Sequence, residues 1–189
     1  MEDNGIYGSA ALFESLIDDV GNNFKVLESN KKSQTYRRNA IRAVFGFIEG
    51  VSTVLLNEVI IKRRKISNKL SSKEIKVLDG SETDLVQRLK KSFTSYTKLH
   101  GFNFTLNTSS SGYDDFKKAK QIRNNLTHPK RYRDIEISES DMSIIAGGYL
   151  WVKSEFMRIM QEMINFNLQK MQPEDREAFN KLLSNENQN

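Results

Sequence analysis

The sequence predicts an all-α chain, and three observations carry that expectation. Only two prolines occur in 189 residues, both late, at Pro129 and Pro173. In the long stretches they leave, apolar residues recur at steps of three and four, which places them on one face of a helix, rather than alternating as in a half-buried strand. Serines and aspartates stand just ahead of several such runs, where their oxygens can cap the first turn.

The first helix is expected to start near Ser9 and to carry Leu12, Phe13, Leu16, Ile17 and Val20 until Gly21-Asn22-Asn23 interrupts it, with Phe24, Val26 and Leu27 as a short apolar patch beyond. Residues 1–33 then form an N-terminal helix and connector. The second and longest helix runs from about Gln34 to Ile66 and aligns Ala40, Val44, Phe47, Val51 and Leu55 as one buried face. Its first turns bring Arg37, Arg38 and Arg42, and its last brings Lys62-Arg63-Arg64-Lys65, where cations suit the C-terminal end of the helix dipole. Gly46 and Gly50, four apart inside it, predict a bend or a close approach of another helix.

Residues 67–80 read as a connector with one turn of structure. The pair Ser81 and Asp84 makes a capping box for a third helix over 82–100, with Leu85, Leu89, Phe93, Tyr96 and Leu99 as its stripe and His100-Gly101 as its stop. Gly101 to Gly112 is a loop that tucks in Phe102, Phe104 and Leu106 and ends in a serine-rich tip. A fourth helix from Tyr113 has acids in its first turn, buries Phe116, Ala119, Ile122 and Leu126, and stops at Pro129. The fifth starts at the box Ser138 and Asp141, runs to about Lys170, and buries Ile145, Tyr149, Val152, Phe156, Ile159 and Met163. Trp151 and Met142, Met157, Met160 and Met163 read as core or dimer packing. A last short helix opens at Pro173 and buries Phe179, Leu182 and Leu183. The main bundle is therefore residues 34–170, followed over 171–189 by a short helix and polar tail.

The chain has no cysteine and two histidines, His100 and His128, which excludes disulfides, cysteine-ligated zinc, a cysteine nucleophile and a multi-histidine metal site within one chain. No metal or other cofactor is expected. The net charge of +5 and pI near 9.3 favour polyanionic partners. The most apolar stretch, Ala40 to Ile61, carries Arg42, Glu49 and Glu58 where a bilayer would be deepest, so it reads as a core helix and no membrane partner is expected. An acidic, polar start and the lack of cysteine fit the cytoplasm.

One cluster carries chemistry: Lys117-Lys-Ala-Lys-Gln-Ile-Arg123-Asn-Asn-Leu-Thr-His128-Pro-Lys-Arg-Tyr-Arg133. Arg123 and His128 are five apart, about 140° on a regular helix, so they share a pocket only if the helix opens between them. Pro129 disfavours helical geometry at His128 and supplies that opening. Asn124 stands four before His128, where its amide can orient the ring. Arg123 falls beside the apolar stripe of its helix and needs an anionic partner, for which Glu49 on the second helix is the candidate. Such a set suits phosphoryl transfer within RNA: a histidine removes the proton from a 2′-hydroxyl while a fixed guanidinium meets the charge growing on the phosphate. Two proton-transfer groups are normally needed and the cluster has one histidine, so a symmetric dimer would complete the site.

The segment Arg123-Asn124-Asn125-Leu126-Thr127-His128 matches an R-x(4–6)-H signature with a polar residue after the arginine, and here the chain resembles the HEPN superfamily of helical nucleotide-binding and ribonuclease domains. The second helix, Thr35 to Gly50, is similar to the early helix of such domains, and the resemblance spans about residues 34–170. It implies a HEPN-like bundle of four to six helices, a homodimer with a composite cleft, and metal-independent endoribonuclease activity that leaves a cyclic phosphate. It also implies a role in toxin–antitoxin pairs, phage defence or stress response, with an antitoxin or defence-complex partner. In the branch paired with a nucleotidyltransferase antitoxin a tyrosine stands two after the histidine; this chain has Lys130 there and Tyr132 two further on. Lys117, Lys118, Lys120, Lys130, Arg131 and Arg133 are candidates for the RNA backbone, and Tyr113 and Tyr132 either for stacking on bases or for packing on the protein. His100, beside Gly101, is expected to be a helix-end residue. The rival readings are a non-catalytic module of the same fold that binds RNA, a nucleotide or a protein, and a purely structural helical dimer.

Overall fold

A computed structural model describes residues 5–62, 66, 69–81 and 84–175, with side chains from Ala11 onward. It contains α1 (Gly5–Ser29), α2 (Gln34–Ile61), α3 (Ser72–Leu78), α4 (Leu85–His100), α5 (Ser111–Thr127) and α6 (Glu139–Lys170), with a 3-10 turn at Tyr132–Ile135. No strand occurs among the described residues, so the all-α expectation holds.

The bundle is built around α2. Its apolar residues are not confined to one stripe: Ala40, Ile41, Val44, Phe47, Ile48, Val51, Leu55 and Val59 are all fully buried and point to several sides. A helix apolar over so much of its circumference is stable only when covered on those sides. α1, α4, α5 and α6 provide that cover. Among the described residues α2 is the one helix long and apolar enough to cross a membrane, and here it is the centre of the protein core.

α1 does not break at Gly21-Asn22-Asn23; it continues to Ser29. Val20 and Leu27 are buried and Phe24 packs against the core, and this burial outweighs the ~1 kcal/mol that a mid-helix glycine costs. Phe13 meets both Phe47 of α2 and Phe156 of α6, the latter with ring centroids 4.4 Å apart. α2 ends at Ile61 rather than near Ile66, because Lys62 leaves helical geometry at φ −99° and ψ 12°. The last two helical residues, Ile60 and Ile61, are both exposed, and Ile66 is buried from outside the helix. Arg63, Arg64 and Lys65 lie outside the described residues, as do Phe179, Leu182 and Leu183.

The expected connector holds a capped helix, α3, whose box pairs Ser71 with Glu74. Glu74 is only 1% exposed and receives Lys98 of α4 at 2.7 Å, tying α3 to the bundle. α4 starts at Leu85 with Asp84 itself as the N-cap, three residues later than the Ser81 box implies. Gly101 closes it at φ 76°, a left-handed conformation that favours glycine. α5 begins at Ser111 behind Ser110, and α6 begins behind the expected Ser138–Asp141 box.

α5 and α6 approach closely where α6 presents Gly147 and Gly148. A Cβ on Gly148 would stand 2.9 Å from the Phe116 Cα, so glycine is required for the two backbones to meet. Tyr149 and Met163 are half-buried on α6, whereas Gly148, Trp151 and Glu155 join the buried set. The outward face of α6 leaves Leu150, Met157 and Ile164 exposed at seven-residue intervals, and Met171 is exposed just past its end.

Candidate functional site

Pro129 ends α5 as its sequence position implies. The last helical residue is Thr127, and His128 is the C-cap at φ −128° and ψ 62°, well outside helical space, with its amide donating to the Asn124 carbonyl at 3.0 Å. The imidazole is exposed and, among the described residues, neither it nor the Asn124 amide makes a side-chain hydrogen bond. The contact between these two residues is thus through the backbone, not between amide and ring.

Arg123 reaches toward α2. Its Nη2 donates to Glu49 Oε1 at 2.9 Å, and its guanidinium lies over the Phe45 ring at 5.9 Å. The two partners are 34% and 46% exposed, so the pair sits at the lip of the bundle rather than in its core. It borders a groove between α2 and α5 of about 460 Å³, lined by Ile41, Arg42, Phe45, Gly46, Glu49, Arg123, Leu126 and Thr127. Ile41 and Phe45 form an apolar floor. Gly46 meets no neighbour: a Cβ there would have nothing within 4 Å. Gly50, by contrast, does accommodate a close approach, from Leu16 of α1.

The connection after His128 is held by α2. Gln34 and Ile137 exchange two hydrogen bonds, at 3.0 and 2.8 Å. Buried Arg37 donates to the carbonyls of Lys31 and Ile137, and Arg38 donates to the Ile135 carbonyl at 3.2 Å. The arginines that open α2 therefore anchor the segment that follows the basic cluster.

The candidate RNA-contact cations differ in how free they are. Lys120 is bonded to Asp84, and this contact holds the aspartate below its ordinary carboxyl range. Lys117 pairs with Asp114 at 2.7 Å, which lowers the acid and raises the amine. The backbone amides of Lys130 and Arg131 both donate to Asp134 Oδ2 at 2.9 Å and pull its pKa down, leaving their side chains exposed. Lys118 and Arg133 are exposed, and Tyr132 is 76% exposed. Tyr113 is instead buried against Trp151, with ring centroids 5.0 Å apart, so of its two readings packing on the protein is the one observed.

A second titratable cluster lies at the far end of α2. Glu58 is bracketed by Lys62 at 2.5 Å and His100 at 3.2 Å, the latter in ion-pair range without the alignment of a hydrogen bond. Contact with His100, then with Lys62, holds the Glu58 carboxyl down to about 2 against the opposing effect of burial. The Tyr96 ring packs at a tilt against His100, and its phenol donates to Met163 Sδ at 2.7 Å; burial raises its pKa. His100 is a helix-end residue as expected, within a structural contact.

No group of three His, Cys, Asp or Glu side chains that could hold a metal ion occurs among the described residues. Sequence reasoning missed Arg42, Phe45, Gly46 and Thr127 as groove residues. The available signal was the series Arg42, Gly46, Glu49, which shares one face of α2. Comparisons with protein-family models, with curated proteins and with solved structures find no match.

Proposed function

We propose that the chain is a metal-independent endoribonuclease of HEPN type. The observation that carries this reading is the arrangement at the end of α5. Arg123 is held at the groove by Glu49, while the helix opens at His128 and leaves its imidazole exposed and unbonded one residue beyond the groove lining. In the proposed reaction the His128 imidazole takes the proton of a 2′-hydroxyl, and the 2′-oxygen attacks the adjacent phosphorus. The bond from phosphorus to the 5′-oxygen breaks, giving a 2′,3′-cyclic phosphate and a 5′-hydroxyl. Arg123 offers paired donors to the phosphate oxygens as charge builds. Asn124, whose amide makes no side-chain hydrogen bond among the described residues of the free protein, orients one or both of these groups only once RNA is bound. Protonation of the departing 5′-oxygen falls to the same histidine of a second copy, which is the reason for a dimer. Lys118, Lys130, Arg131 and Arg133 supply exposed positive charge for the RNA backbone, and Tyr132 an exposed ring. A cytoplasmic toxin, phage-defence or stress-response protein is the setting this chemistry suits.

The test is RNA cleavage in EDTA by the intact chain and by His128→Ala. The variant loses cleavage while keeping its helical content; unchanged cleavage would overturn the assignment. One observation favours a second reading, a non-catalytic RNA-, nucleotide- or protein-binding module: the Arg123 charge is already matched by Glu49. That reading predicts salt-dependent RNA binding with no product in the same assay.

A further inference from the structure

We infer that the groove between α2 and α5 receives one unpaired nucleotide of single-stranded RNA, with Arg42 as a second phosphate ligand and Glu49 as the resident anion that the phosphate displaces from Arg123. The inference rests on the proposed RNA-processing role, and it assigns to that site a ligand pose, a new residue and a selectivity.

The groove has the three surfaces a nucleotide needs. Its floor is apolar: Ile41 and Phe45 lie almost wholly buried beneath it, and half-buried Leu126 beside them is the apolar side chain that can meet a base. Its rim carries one arginine from each helix, Arg42 and Arg123. Its volume of about 460 Å³ falls within the range of small-molecule sites. What keeps it open is a missing side chain. Gly46 lies between Arg42 and Glu49 on the same face of α2, and a Cβ there would project into space with no atom within 4 Å.

Arg42 is exposed and its guanidinium is committed only to Asn39, at 3.0 Å, among the described residues. Of its five N–H donors most are therefore available. Arg123 is bonded to Glu49 through Nη2 alone, so the pair is a single contact rather than a two-pronged one. With both partners partly exposed, such a pair is weak. A phosphate bridged by two arginines makes more charge-assisted bonds than the carboxylate it replaces. Glu49 thus keeps Arg123 in place in the free protein and yields to substrate. A duplex keeps its bases paired and stacked and has no free base to offer the groove. Selectivity for unpaired RNA follows.

The experiment measures binding in the His128→Ala background, which keeps the RNA whole. A fluorescent single-stranded oligoribonucleotide and its duplex are compared by anisotropy at fixed salt. Arg42→Ala and Gly46→Leu each weaken single-strand binding about tenfold, whereas Glu49→Gln tightens it about fivefold, the upper range for losing a partly exposed ion pair. Lys25→Ala, an exposed charge lost from α1, changes binding less than twofold. Circular dichroism checks Gly46→Leu for folding, and Arg42→Ala, at an exposed position, keeps the test decisive if that variant unfolds. Parental affinity in Arg42→Ala, no tightening in Glu49→Gln, equal binding of the duplex, or no RNA binding at all would each overturn the inference. Wild-type cleavage is scored separately. A chain that does not cut but shows this binding pattern keeps the groove and loses the ribonuclease; one that cuts through His128 with indifferent groove variants does the reverse.

Discussion

Replacing Gly148 by alanine and, separately, Gly46 by alanine should move stability in opposite directions, although both glycines sit inside long helices. Alanine is favoured over glycine in a helix interior by about 1 kcal/mol, and that gain applies to both. At Gly46 nothing opposes it, since the new methyl meets no atom within 4 Å. At Gly148 the methyl would lie 2.9 Å from the Phe116 Cα, 3.1 Å from its nitrogen and 3.4 Å from the Ala119 Cβ. Two of these are backbone atoms, so α5 itself must move. Overpacking of this kind costs about 1–3 kcal/mol. Gly148→Ala should therefore range from neutral to about 2 kcal/mol less stable than the parent, and Gly46→Ala should be about 1 kcal/mol more stable. For a chain of this length each kcal/mol shifts Tm by about 2–4 °C, so the two variants should melt several degrees apart. Urea unfolding should show the same order at an unchanged slope. A Gly148→Ala protein as stable as Gly46→Ala would refute the claim that α5 and α6 meet backbone to backbone. Because α5 carries Arg123 and His128, Gly148→Ala should also lower any RNA cleavage while Gly46→Ala, which adds one methyl, should affect it less.

Three further predictions come from other parts of the bundle. The Glu58 carboxyl is depressed to about 2 from 4.5, so the unfolded chain binds more protons between those values and stability falls as pH drops through that window. Glu58→Gln should lose stability near neutral pH, by at most about 3 kcal/mol, and the gap from wild type should close as the acid limb of a pH-dependent melting series approaches pH 2. Arg37→Ala removes the donors to the Lys31 and Ile137 carbonyls and should cost about 2–4 kcal/mol, with faster amide exchange over residues 130–138 read by mass spectrometry. Sedimentation at rising concentration should show a dimer; a monomer throughout would remove the proposed source of a second proton-transfer group.

The helical class, the α4 stop at Gly101, the α6 box at Ser138 and the partner of Arg123 were legible in the sequence because each depends on residues within a turn or on one charge needing another. The break expected at Gly21 was not real, since local propensity is worth less than burying Val20, Phe24 and Leu27. α3 was missed although Ser71 and Glu74 spell a capping box, because a seven-residue helix shows too little periodicity to stand out. The roles of Gly46 and Gly50 depend on what faces each one across space: the groove for the first, Leu16 for the second. Gly147 and Gly148 read as weak points in a helix until α5 is seen against them. For the candidate site, spacing singled out Arg123 and His128, but the groove beside them includes Arg42 from a helix about eighty residues earlier.

The most direct measurement is the chemical identity of the ends produced when the purified chain is incubated with RNA in a chelator. Attack by the 2′-oxygen predicts a 2′,3′-cyclic phosphate and a 5′-hydroxyl, with no cut at a position where the 2′-hydroxyl has been replaced by hydrogen. Products bearing a 5′-phosphate and a 3′-hydroxyl, or cleavage that persists at the 2′-deoxy position, would contradict the role given to His128.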